Sequence, residues 1–157
     1  MGLTERISNG DHLETWQGNF PLEHLYTVGI AGERVLRELK DHGRLLGTRC
    51  GRCEYTYVPA RLYCERCLAR LDEWIPVPLG GSLASFTTVF QDVDGRPLDP
   101  PTLMGLIALD ESSGYFVHRL GEVEERSLRI GMTVEGVMKP VGERVGSIDD
   151  IRYFRPV

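Results

Sequence analysis

Residues 50–67 read CGRCEYTYVPARLYCERC and hold every cysteine of the chain: Cys50, Cys53, Cys64 and Cys67. A C-x2-C pair turns both sulfurs toward one point. Two such pairs separated by ten residues can close a tetrahedral shell around a single ion. The spacing predicts a zinc ribbon with these four cysteines as ligands. Iron in a rubredoxin-like site uses the same ligand set and stays open. Four protein thiolates leave no coordination position for water or substrate, so the site reads as structural. If all four hold the metal, no cysteine remains as a nucleophile. Two disulfides would need an oxidising compartment. The opening MGLTERISNG lacks the basic start and apolar run of a secretory signal, so a cytoplasmic protein is expected.

Outward from the ribbon, charge is unevenly spread. The 157 residues carry a net charge of −5, yet residues 44–70 contain Arg44, Arg49, Arg52, Arg61, Arg66 and Arg70 against only Glu54 and Glu65. That stretch balances at +4, residues 1–43 at −3 and residues 71–157 at −6. A compact arginine patch suits a small phosphate-bearing ligand, because guanidinium pairs well with phosphate. It suits a nucleic-acid track less, since the acidic flanks would repel the continuing backbone. The plain alternative is a set of solvated side chains with no ligand. No apolar run approaches the eighteen residues of a membrane span, and no GxGxxG or GxxxxGK[ST] motif is present.

Three segments follow. Residues 1–43 form an N-terminal extension and helix. The extension carries Trp16, Phe20, Leu22, Leu25 and Tyr26 without an evident core, which suggests docking on the rest of the chain or a partner. AGERVLRELKDH, residues 31–42, has Val35, Leu36 and Leu39 on one face, Val28 and Ile30 just upstream, and Gly43 placed as the stop. Residues 44–72 are the ribbon, with Tyr55, Tyr57 and Val58 expected over the metal. Residues 73–157 break into Val-, Ile-, Thr- and Phe-rich runs: DEWIPVP, GSLASFTTVFQ, TLMGLIALD, YFVHRL, MTVEGVMKP and SIDDIRYF. About five strands, interrupted at GEVEERSLRIG, predict a small closed barrel of the OB type, with an SH3-like barrel as the competing geometry. The fold class is therefore mainly β with one N-terminal helix. His118 sits on a strand with no recognisable nucleophile beside it and reads as structural. His12, His24 and His42 are expected at the surface. The pairs Glu124-Glu125 and Asp149-Asp150 read as solvated turns.

The order helix, four-cysteine ribbon, small barrel resembles the DUF35 family of rubredoxin-like zinc-ribbon plus OB-fold proteins. The likeness rests on YTVGIAGERVLRELKDHGRLLGTRCGRC, YVPARLYCERC, SFTTVF and SIDDIRYFRPV, and covers roughly residues 26–157. Two positions depart from the family pattern: prolines often stand where this chain has Ala60 and Glu65. Neither is a ligand position. The resemblance implies a non-catalytic accessory subunit of a thiolase-fold enzyme, in a cytoplasmic hetero-oligomer that binds or channels acyl-CoA. It also implies a structural zinc ion, with coenzyme A shared with the partner. Arg49, Arg52, Arg61 and Arg66 are the residues expected to receive the coenzyme A phosphates. An OB-fold nucleic-acid binder and a rubredoxin-like electron carrier are the alternatives.

Overall fold

The computed structural model describes residues 26–157. Trp16, Phe20, Leu22, Leu25, His12 and His24 lie outside the described residues. Helix α1 spans Gly29–His42. It begins two residues before the predicted start because the Gly29 N–H donates to Thr27 Oγ1 at 2.9 Å, closing a turn ahead of the first helical residue. Val35 and Leu39 are buried, as i, i+4 spacing requires. Val28 and Ile30, by contrast, are exposed and do not extend that face. Gly43 ends the helix in the left-handed conformation, φ 65°, a backbone state favoured by the absence of a Cβ.

A three-stranded sheet follows: β1 (Leu45–Cys50), β2 (Tyr55–Tyr57) and β3 (Glu73–Val77), in the order β2-β1-β3. The boundary drawn from sequence between residues 72 and 73 falls just ahead of β3. That strand bonds antiparallel to β1, with Thr48 opposite Trp74, and so completes the ribbon sheet. The remaining strands are β4 (Gly80–Gln91), β5 (Pro97–Leu109), β6 (Phe116–Arg119), β7 (Thr133–Met138) and β8 (Ile151–Pro156). Their order is β6-β5-β4-β7-β8, and a parallel bridge between Leu120 and Phe154 brings the two edges together. This is the five-strand OB arrangement, with the 3-10 turn Glu125–Ser127 in the interruption between the third and fourth barrel strands. β4 bends at a bulge between Leu83 and Ser85. Leu83, Ile107, Val134, Ile151 and Phe154 are fully buried and form the barrel interior.

Ribbon and barrel share one apolar core, in which Leu45, Leu46 and Val77 of the ribbon sheet join the cluster of Leu83, Ile107 and Phe154; polar contacts add to it. The Thr56 N–H donates to Ser113 Oγ at 3.0 Å, and the Ser113 N–H returns a bond to Thr56 O at 3.0 Å. On the other side, α1 bridges both units. Arg34 lies over the Trp74 ring of β3, 4.2 Å from its centroid. Arg144, from the loop before β8, packs its guanidinium against Gly43, where an added Cβ would fall 2.7 Å from Nη1. A cation there also faces the negative end of the helix dipole.

The Asp149-Asp150 pair is not a solvated turn. Asp149 is exposed and pairs with Arg119 at 3.2 Å, but Asp150 is fully buried. Its carboxylate accepts N–H bonds from Val145, Gly146 and Ser147 at 2.7 to 3.3 Å, and Lys139 Nζ lies 3.9 Å away. Two adjacent aspartates look alike in sequence; only the 3-10 turn Ile148–Asp150 turns one inward. Burial pulls the Asp150 pKa up. The three N–H groups and Lys139 pull it down by more, leaving it below the ordinary carboxyl value. Replacing Asp150 by alanine would remove the acceptor of three partly buried N–H groups. Its expected cost is about 2–4 kcal/mol in denaturant unfolding. The sign in acid follows from the lowered pKa. The contribution of Asp150 is complete above about pH 3.9, the unfolded value, and is lost as pH falls through the lower folded value. Unfolding midpoints measured between pH 5 and 2 should therefore fall more steeply in the wild type than in Asp150→Asn.

Candidate metal centre and arginine surface

Two matching turns carry the cysteines. The Glu54 N–H donates to Cys50 O at 2.8 Å, and the Leu68 N–H donates to Cys64 O at 2.9 Å. In each turn the residue after the second cysteine is left-handed, with φ 52° at Glu54 and 57° at Leu68. These turns bring all four Sγ atoms within 4.8 Å of one another. Cys50 and Cys67 are 3.7 Å apart, and Cys53 and Cys64 are 3.9 Å apart. A tetrahedron with Zn–S bonds of about 2.3 Å has edges of about 3.8 Å, so these two sulfur pairs already stand at the separation zinc requires. Cys50 and Cys64 are buried, while Cys53 and Cys67 are half-buried.

The surroundings favour thiolate at one corner. Tyr57 Oη accepts the Glu65 N–H at 3.2 Å, which directs its own proton to Cys64 Sγ, also 3.2 Å away. That hydrogen bond is the main reason the Cys64 thiol falls to about 6; burial opposes it, and the Cys67 and Arg66 N–H groups reinforce it. The Cys53 thiol is pushed up to about 12, first by its hydrogen bond with Cys67 and then by burial. Four adjacent sulfurs cannot all be anionic unless a cation sits among them, and a bound divalent ion supplies that charge. Tyr55 and Tyr57 cover the cluster as expected, their ring centroids 4.7 Å apart. Val58 does not; it packs against the larger core shared by helix and barrel.

A residue without any sequence signal completes the centre. Thr48 is fully buried, and its Oγ1 donates to Arg61 O and accepts the Arg61 N–H, both at 2.9 Å. One β1 hydroxyl thus fixes the chain entering the second cysteine pair. The contact spans thirteen residues and follows no local motif.

The four arginines singled out from the sequence are all exposed. Arg66 lies over Tyr55 at 4.2 Å and Arg61 over Tyr57 at 5.3 Å, on two adjacent rings. Arg61 also pairs with Glu65 at 2.7 Å. Arg49 and Arg52 make no ion pair among the described residues, whereas Arg44 and Arg70 are taken up by Glu38 and Asp72. His118 is buried between Phe116 and Phe154, and Glu124 and Glu125 are exposed.

Against known proteins, residues 37–73 match the family profile "ChsH2, rubredoxin-like zinc ribbon domain", and residues 74–139 match "ChsH2, C-terminal OB-fold domain". The chain belongs to the DUF35 family. A DUF35 domain-containing scaffold protein of Methanocaldococcus jannaschii is 27% identical over 129 residues, covering 79% of this chain and 89% of the relative. Two solved structures share the DUF35 fold. One is a DUF35 protein of unknown function from Sulfolobus solfataricus: TM-score 0.56, 24% identity, 69% of this chain and 78% of that one. The other is described as an Ltp2-ChsH2(DUF35) aldolase: TM-score 0.55, 20% identity, 76% of this chain and 89% of that one. No helix among the described residues is long and apolar enough to cross a membrane.

The centre generates two expectations. Elemental analysis of purified protein should find one zinc per chain. Acid or a strong chelator should release it by protonating or competing for the thiolates, and far-UV circular dichroism should show loss of the ribbon sheet. Separately, Glu54→Gly should relieve a left-handed non-glycine residue and raise stability by about 0.5–1 kcal/mol, read as a higher thermal midpoint with the zinc content unchanged.

Proposed function

We propose that this protein is a non-catalytic accessory subunit of a thiolase-fold enzyme and helps hold acyl-CoA. The observation that carries the reading is the sulfur cluster. All four cysteines of the chain point at one centre, and four ligands close it, so the acyl-transfer nucleophile belongs to another polypeptide. Support for assembly comes from the relatives: one is named a scaffold protein, and another is part of an aldolase described by two components. Support for the ligand comes from the ribbon surface. Arg61 and Arg66 each lie over one of two adjacent, mutually tilted tyrosine rings, and Arg49 and Arg52 are exposed and make no ion pair among the described residues. Guanidinium groups on such a platform suit the phosphates of coenzyme A, while the closed zinc site holds the platform rigid. Acyl-chain selection falls to the partner.

The test is a complex of this chain with a thiolase-fold subunit that co-purifies with it, with coenzyme A as the probe. The isolated chain should turn over no β-ketoacyl-CoA. Arg61→Ala combined with Arg66→Ala should weaken coenzyme A binding to the complex by roughly 10-fold or more, as expected for losing charged hydrogen bonds of about 1.5–3 kcal/mol. Its zinc content should not change. A full catalytic cycle by the chain alone would overturn the accessory role. Unchanged coenzyme A affinity in the double variant would remove the phosphates from the ribbon.

A further inference from the structure

One buried titratable group has no part in the reading above. His118 of β6 is 6% exposed. Its ring stacks on Phe116, with centroids 5.8 Å apart and planes 9° apart, and meets Phe154 edge-on at 5.7 Å. Nε2 lies 3.5 Å from Ile148 O, and Nδ1 has no hydrogen-bond partner. The neutral ring fits this cage: Nε2–H reaches toward the carbonyl and Nδ1 stays bare among aromatic neighbours. The imidazolium fits less well, because burial among the aromatic rings strips its solvation and its second N–H meets no acceptor in hydrogen-bond geometry.

The carbonyl that His118 meets belongs to a segment that reaches across to the helix. Ile148 opens the 3-10 turn Ile148–Asp150, which is capped by Ser147. The same loop places Gly146 beneath α1, where an added Cβ would lie 3.5 Å from Leu36 O and 3.7 Å from Lys40 Cδ. Arg144 of that loop donates to Lys139 O at 2.8 Å and packs on Gly43 at the helix end. Helix and barrel thus meet through this loop, and His118 supports it from below. We propose that His118 is an acid-sensitive latch: protonation of its ring frees the loop 144–150 and, with it, the seat of helix α1 on the barrel.

The charged groups around the ring are few. The Ile148 and Arg119 backbones favour the imidazolium; among side chains, the Arg119 guanidinium opposes it and the Asp149 carboxylate, across on the turn, favours it. Those two pair with each other at 3.2 Å and largely cancel. Lys139 and Asp150 form their own pair in the same loop. The β5 neighbour is Gly105 and the β8 neighbour is Phe154, both uncharged. Burial is the largest influence and lowers the ring's pKa below its ordinary value. The sign is then fixed. The latch is fully closed above about pH 6.5, the unfolded value, and opens as pH falls through the lower folded one.

Amide hydrogen exchange on the zinc-loaded full chain, corrected for the intrinsic pH dependence of exchange, reads the latch directly. Between pH 7.5 and 5, protection of residues 144–151 and of α1 should drop by up to about ten-fold per pH unit as pH falls from about 6.5 toward the ring's lower folded pKa, and level off below it. Ribbon amides of residues 45–57 should keep theirs. In His118→Phe, which matches the aromatic cage but cannot titrate, the drop should vanish. An equal slope in wild type and variant would overturn the proposal. NMR titration of the His118 ring in the wild type serves as the second readout, independent of whether the variant folds. A ring pKa at or above about 6.5 would also overturn it.

Discussion

Four sulfur atoms held within one small sphere are the constraint on which the ribbon depends. The strands around them are short: β2 has three residues and β3 five. Sheets of that size do not stand alone in water. The two cysteine turns supply closure instead, each through an N–H to carbonyl bond and a left-handed residue that a closed metal shell can hold in place. Tyr57 links the sulfurs to the second turn, and Thr48 links the second turn to β1. Metal, tyrosine and threonine therefore act as one unit, and the arginine-bearing surface inherits its rigidity.

That rigidity is transmitted to the barrel through a shared apolar core, which includes Leu45, Leu46 and Val77, and through a small set of polar contacts. The Thr56–Ser113 bond pair fastens one side of the ribbon. Helix α1 fastens the other, with Arg34 on Trp74 and Arg144 on Gly43. The loop 144–150 is the less obvious partner in this assembly. A buried carboxylate shapes it from within, and a buried imidazole supports it from the barrel side. A subunit that serves another enzyme needs its surfaces in a fixed relation. These contacts set that relation between the cationic ribbon and the acidic barrel.

The charge pattern has a similar logic. Arginines that pair locally, such as Arg44 with Glu38 and Arg70 with Asp72, contribute little outward field. Arg49 and Arg52 are left without such partners, and Arg61 and Arg66 are spread over aromatic rings. The sequence count of six arginines therefore overstated the patch: Arg44, Arg61 and Arg70 pair locally with carboxylates, whereas Arg49, Arg52 and Arg66 do not among the described residues.

What the sequence alone determined was whatever is encoded locally. The C-x2-C spacing specified the sulfur cluster, Val35 and Leu39 specified a helix with Gly43 as its stop, and alternating β-branched runs specified a five-strand barrel. Each follows from periodicity or turn chemistry within a few residues. Only the tertiary structure decided the rest. It assigned β3 to the ribbon, Val58 to the main core, Asp150 to the interior and His118 to an aromatic cage. It also gave Thr48 its role at the second cysteine pair. These outcomes depend on which distant backbone groups meet, and neither burial nor a hydrogen bond across thirteen residues leaves a mark in the local pattern.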